Sequence, residues 1–279
     1  MLLLALALWP VWMNDFFLTN DGPCHLYNAR ILRDMLLGRD VSFYAEWYSL
    51  NPNIEPNWLN HFLLVVFQLV VSPIVAEKLF LTLYVLGFAF AFRYLARSIF
   101  PDNGAFVLLA MPFLFHKVFM YGFFNFSASV VLFFLLVGFW LRHFDRKGWR
   151  WPIGLSGLLL ILGFTHPVSY FLGMGVLFFH GAGQILSRFL RKDEQNHWIW
   201  AAQLVLKTSL AAVPSGLLMV LFLIGKGTKS VPSGVPFHTL FHDFLELRSL
   251  ILFHPGETTW PIVLSILIGL VLVISLLRI

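Results

Sequence analysis

Long, uninterrupted apolar runs dominate this chain, near 1–18, 57–71, 74–98, 104–120, 123–142, 152–165, 167–187, 199–225 and 259–278. A helix needs roughly 20 apolar residues to span a hydrocarbon core of about 30 Å. The spacing therefore predicts eight or nine membrane segments. Runs such as Val130 to Trp140 and Leu217 to Ile224 are apolar on every face, whereas a barrel strand alternates over about 10 residues. A β-barrel is excluded on that ground. A water-soluble fold is excluded by composition, because 59% of residues are hydrophobic and only 12% are charged, against roughly 25% charged in soluble domains. The expected fold is all-α, a polytopic transmembrane helical bundle forming a single membrane domain over residues 1–279.

The net charge of +5 does not point to nucleic acid, because the basic residues sit in short clusters beside the apolar runs, as the positive-inside rule requires of cytoplasmic loops. Arg142, Arg146, Lys147 and Arg150 mark one such loop, and Arg188, Arg191 and Lys192 another. This places the Thr165-His166-Pro167 turn, His116 to Asn125 and the loop 226–258 on the outer side, with Arg93 and Arg97 inside. Met1 to Met13 has the length of a signal-peptide core but neither a basic flank nor an A-x-A site, so it is expected to stay as a first helix. The first outer loop is then 14–56, where Leu26, Ala29, Leu32 and Leu36 recur at helical spacing around Arg30 and Arg33. That pattern predicts an amphipathic helix on the membrane surface, with Arg30 and Arg33 solvated or facing lipid. Run 57–71 is short and carries Asn57, Asn60, His61 and Gln68, so it is expected to be re-entrant or interfacial. The last run reaches Arg278 and Ile279 without a tail, as a fragment lacking a C-terminal part would. Cys24 is alone, so no intramolecular disulfide can form.

Candidate chemistry gathers in the inferred outer segments. Gly22-Pro23 makes a turn, after which a helix would present His25 and Tyr27 close to Asp21, a carboxylate able to serve as a base. The alternative is that Asp21 simply N-caps that helix, with Pro23 in its first turn. Lys117, beside His116, either meets phosphate or snorkels to the interface. His180 and Gln184 are expected to satisfy each other or a neighbour. His238 and His242 stand at i, i+4, so one helix face would carry both, and Asp243 or Glu246 could complete a metal site. Gly225, Gly227, Gly234, Pro232 and Pro236 suggest a mobile loop covering a substrate. Trp47, Trp58, Trp151, Trp198, Trp200 and Trp260 lie near segment ends, as an aromatic belt would.

Five stretches occur in order: Asp21-Gly22-Pro23-x-His25-x-Tyr27-x-Ala29, Leu36-Leu37-Gly38-Arg39-Asp40, Pro56-Asn57-Trp58-Leu59-x-His61, Ala76-Glu77-Lys78-Leu79 and Tyr121-Gly122-Phe123-Phe124-Asn125-Phe126. In these motifs residues 1–145 resemble the GT-C glycosyltransferases, membrane enzymes that include protein O-mannosyltransferases and aminoarabinose transferases. The resemblance implies a GT-C-like bundle in a bacterial inner (plasma) membrane, with a sugar donor on polyprenyl phosphate, surrounding membrane lipid and an acceptor of unspecified identity. Transfer would occur at the outer face, with Asp21 inheriting the role of base or metal ligand. His25, Tyr27, His61, Lys117, Asn125 and His166 are the substrate-binding candidates. This chain has Asp-Gly where familiar members have a paired Asp-Glu or a Glu-Pro motif. A divalent metal therefore stays open as an alternative to the base role, with no other cofactor implied. The competing functions are a lipid or small-solute transporter or flippase and a noncatalytic membrane assembly subunit. Charge pairs are not evident in the helix centres, which speaks against ion-coupled transport.

Overall fold

The structure is a computed structural model that describes residues 2–51, 53, 55–102, 104–191, 197–226, 236–248, 250–251 and 254–277. Among these residues every regular element is helical. Four helices are long and apolar enough to cross a membrane: α5 (Pro73–Ile99), α7 (Phe124–His143), α9 (Pro167–Arg191) and α10, for which His197–Gly225 of His197–Lys226 qualifies. Shorter apolar helices are α1 (Leu2–Met13), α4 (Leu59–Gln68), α8 (Arg150–Thr165) and the first part of α12 (Thr259–Leu277). This is the architecture of a helical membrane protein. Polar connections carry α2 (Gly22–Leu36), α3 (Val41–Ala45), α6 (Lys117–Met120) and α11 (Phe237–Leu245).

Side-chain pairing fixes the helix directions. Phe80 meets Phe124, Phe88 meets Phe134, Ser98 donates to the Gly138 carbonyl and Arg142 reaches Ser98 and the Tyr94 carbonyl. The partners advance together along both chains, so α5 and α7 are parallel. Gly138 permits their approach, since a β-carbon there would stand 2.7 Å from Tyr94 Cδ1 and 3.1 Å from Leu95 Cα. Ser129 with Ser169 and Trp140 with His180 make α9 parallel to α7 as well. Tyr170 with Ser215, and Lys207 over the Trp149 ring, set α8 and α10 the other way. His180 is satisfied by a neighbour, accepting from Trp140 Nε1 at 3.0 Å.

Parallel neighbours require a return run. Residues 104–120, expected as a membrane helix, instead form a 3-10 helix over Gly104–Phe113 followed by the short α6. At about 2.0 Å per residue, against 1.5 Å in an α-helix, ten residues reach about 20 Å. Tyr84 Oη anchors this run by donating to the Leu114 carbonyl at 2.7 Å. An apolar cleft of about 470 Å³ lies between it, α5, α7 and α12, with Phe92, Phe113 and Ile268 among its walls.

The bundle consequently has two unlike ends. Arg93, Arg97, Arg142, Arg146, Arg150, Arg188 and Arg191 gather at one, where Arg188 pairs with Asp145 at 2.9 Å. The other end receives the C-terminus of α1 and the N-termini of α5, α7 and α9. α4 lies across this second end. Its first turn bonds Asn125, at the start of α7, its C-terminal Gln68 carbonyl accepts from Arg33, and α5 starts five residues later at Pro73. Ten residues make a helix of about 15 Å, too short to span. The expectation for 57–71, a re-entrant or interfacial helix, has in common with this placement a run too short to cross.

α2 is the expected amphipathic helix, but it packs on α4 and α5 and does not simply float on lipid. Its buried face holds Ala29, Ile31 and Asp34. Arg33, expected to face solvent or lipid, turns inward to Asp34 at 2.6 Å. Trp151 departs from the aromatic belt, being buried with its Nε1 donating to the Arg146 carbonyl.

Candidate functional site

Asp21 is placed by a backbone clasp between two distant segments. Asn20 N–H donates to the Met120 carbonyl at 3.0 Å and Asp21 N–H to the Tyr121 carbonyl at 3.2 Å. The turn that offers these carbonyls needs Gly122, whose φ is +88° and whose missing β-carbon would stand 2.7 Å from Asp21 N. Asp21 occupies the N-cap position of α2 with Pro23 in the first turn, yet its φ of −100° and ψ of −3° are near-helical and its side chain makes no capping bond. Capping needs an extended backbone that turns the side-chain oxygen onto the second or third N–H. The half-buried Asp21 carboxylate instead accepts from Asn20 Nδ2 at 2.8 Å.

One turn along α2, His25 Nε2 lies 3.0 Å from the Gly122 carbonyl and Nδ1 lies 3.3 Å from His61 Nε2. A carbonyl only accepts, so the neutral His25 ring carries its proton on Nε2 and His61 donates to Nδ1. Phe124 and Trp58 flank the two rings. Asn125 fixes the helix that carries His61, because its Nδ2 donates to the Asn57 carbonyl at 2.6 Å and Asn60 Oδ1 at 2.9 Å while its Oδ1 accepts from Asn60 N–H. Only 7% of Asn125 is exposed. Its polar atoms are spent on the start of α4, so it is a positioning residue and does not present a free amide to a substrate.

Burial, then the neighbouring His25, hold the His61 pKa down to about 4, against some support for the charged form from the Asn57 backbone. His25 is also lowered by burial, opposed by the Gly122 carbonyl and by Asp21. The folded pair is therefore neutral at pH 7. Between the ordinary histidine value of 6.5 and about 4 the unfolded chain binds more protons at His61 than the folded one. Stability is thus present above pH 6.5 and falls as the pH is lowered through that window, by roughly 3 kcal/mol for His61 alone. Thermal unfolding in detergent at pH 7 and pH 4.5 should show the loss, and His61→Asn should shrink the difference. An unchanged difference in His61→Asn would remove this pair as its source.

The remaining candidates divide. Lys117 belongs to the same turn as Gly122, with Nζ 5.7 Å from the centre of the Tyr121 ring and its backbone N–H on the Leu250 carbonyl at 2.7 Å. His116 caps α6 through Nδ1, which accepts from Phe119 N–H at 3.1 Å. His166 lies between α8 and α9 against Phe126, and its Nδ1 is buried without a hydrogen-bond partner. Burial lowers its pKa. Tyr27, expected beside Asp21, is half exposed and lines a different cavity with Thr19 and Glu77. His61 opens onto a cleft of about 380 Å³ shared with Asn28, Tyr48, Glu55 and Trp58, within the size range of small-molecule sites.

The metal expectation for 226–258 meets a different geometry. His242, Asp243 and Glu246 bring ligand atoms within 4.8 Å of one another, and His238 is not in this group. Arg248 already spans both carboxylates, 3.2 Å from Asp243 and 3.0 Å from Glu246. A guanidinium there supplies the positive charge a cation would bring, so the donor set does not suit a resident divalent ion. Asp21 belongs to no group of three ligating side chains among the described residues. Gly227, Pro232 and Gly234, named in the covering-loop expectation, lie outside the described residues, while Gly225 is within α10 and Pro236 precedes α11.

Sequence reasoning passed over Glu77 as a site residue. A carboxylate at the start of an apolar run was the available signal. No protein-family model matches the chain, and comparison with curated proteins and with solved structures finds no match.

Proposed function

We propose that this chain is a membrane glycosyltransferase of the GT-C type, transferring a sugar from a polyprenyl-phosphate donor with Asp21 as general base. The observation that carries the reading is the Asp21 carboxylate itself, held at a helix start without capping it and bonded by Asn20. The acceptor hydroxyl loses its proton to Asp21 as its oxygen attacks the anomeric carbon. The bond from that carbon to the phosphate oxygen breaks, and its electron pair leaves with the lipid phosphate. Lys117, carried on the turn that clasps Asp21, supplies positive charge for that phosphate. The positive-inside rule puts the arginine-rich end in the cytoplasm and this chemistry at the opposite face.

The decisive assay incubates the purified chain in lipid nanodiscs with labelled polyprenyl-phosphate sugars. Release or transfer of sugar is the expected result. Movement of the intact donor across vesicles without bond cleavage would instead identify a flippase, and failure to cleave any such donor would remove the transferase reading.

A further inference from the structure

Behind the first turn of α2 lies a further cavity, of about 350 Å³, lined by Phe16, Phe17, Leu18, Thr19, Arg30 and Glu77 among others. Glu77 is only 4% exposed and its Oε1 is buried without a hydrogen-bond partner. Thr19 is 9% exposed and its hydroxyl is likewise buried and unpartnered. Both atoms abut Gly22, where a β-carbon would collide with Thr19 Oγ1 and stand 3.0 Å from Glu77 Oε1. The missing β-carbon leaves the room that the Thr19 hydroxyl occupies beside Glu77, and both side chains line the cavity. Lys78, next in sequence, donates to the Asn14 carbonyl at 2.7 Å. A buried oxygen acceptor without a partner has lost its bond to water with nothing in exchange, so the Thr19 and Glu77 oxygens call for a ligand that brings N–H donors, and a carboxylate favours one that carries positive charge.

We infer that this cavity binds the primary ammonium headgroup of a membrane lipid, through Glu77 and the Thr19 hydroxyl. Three N–H donors on one small cation match these acceptors, and the apolar walls of Phe16, Phe17 and Leu18 continue from the end of α1 at the membrane surface. Arg30 reaches the same cavity with its side chain 55% exposed, held 3.7 Å from Asp34, and takes the lipid phosphate. The site is independent of the transferase reading, since none of its residues handles the sugar.

The test purifies the full chain from nanodiscs containing equal amounts of ethanolamine and choline phospholipids with the same acyl chains. Retained lipid is counted by native mass spectrometry. The ethanolamine lipid should be enriched about tenfold, because a trimethylated nitrogen has no N–H to offer, and Glu77→Gln should return retention to the bulk ratio. Equal retention of the two lipids by the unmutated chain would overturn the site without reliance on any variant. Undiminished enrichment in Glu77→Gln would overturn the role of Glu77. Displacement of the lipid by millimolar free ethanolamine would show that the site takes soluble amines and would overturn the lipid assignment.

Discussion

Asp21→Asn is expected to lower sugar transfer by about 10²–10⁴-fold, the usual contribution of a positioned general base, without lowering the unfolding temperature. The two effects separate because of how Asp21 is held. Asparagine keeps the shape of the side chain and an oxygen for Asn20 Nδ2, but an amide cannot take the acceptor's proton. Nor does the change remove a capping bond, since the Asp21 side chain makes none to α2. Had the carboxylate capped the helix, alanine at this position would cost about 1 kcal/mol. Asp21→Ala should therefore match Asp21→Asn in lost activity and stay close to the unmutated chain in stability. Full transfer by Asp21→Asn in the same nanodiscs would take the base role away from this residue. A marked fall in stability with transfer intact would mean that the side chain is structural.

The second large effect belongs to Gly122. An alanine there must hold a φ of +88°, which costs about 1–2 kcal/mol for a residue with a β-carbon. That β-carbon would also lie 2.7 to 2.9 Å from Asp21 N, Cβ and Cα. Two of those atoms are backbone, pinned by the bonds from Asn20 and Asp21 to Met120 and Tyr121, so they cannot swing aside as a flexible side chain would. Overpacking of this kind adds roughly 1–3 kcal/mol, and relief requires Asp21 to move. Gly122→Ala should therefore lose stability and transfer together. Gly148 supplies the control, having a φ of +92° and no atom within 4 Å of its virtual β-carbon. Gly148→Ala should incur the conformational cost alone and keep full transfer. Equal effects at the two glycines in unfolding and activity assays would show that contact with Asp21 does not matter.

The membrane helices were the most legible part of the chain, because one-dimensional apolar length is a property of the sequence itself. The start of α7 near residue 124 and the turn at Thr165-His166-Pro167 follow from where those runs break. The placement of α4 was legible for the same reason, through its short run and its polar residues. Direction between neighbours was legible too, since the Lys and Arg clusters put the ends of 74–98 and 123–142 on one side, as the parallel α5 and α7 have them; the form of the return run was not. Residues 104–120 are apolar enough for a helix, and only their packing between α5 and the start of α7 shows that they return in 3-10 form. Arg33 was read as lipid-facing because its partners, Asp34 and the Gln68 carbonyl, require α2 and α4 to be packed together first. Around Asp21 the residues were visible as a cluster in sequence, but their division of labour was not. Tyr27 stands two positions from His25 and so leaves the face that meets His61. Asn125, from a different motif, supports the pair by holding α4.

The 3-10 return run also acts as a measuring rod. Ten residues at about 2.0 Å each reach about 5 Å further than the same ten in α form, and residues 104–122 carry that reach back towards the start of α7. Their far end is the Met120 to Gly122 turn whose carbonyls hold Asn20, Asp21 and His25. The depth of the carboxylate is thereby tied to the distance between the two ends of the bundle. Deleting one residue between Gly104 and Phe113 would draw the turn inward by about 2 Å, and Asp21 would follow although nothing in its own loop had changed.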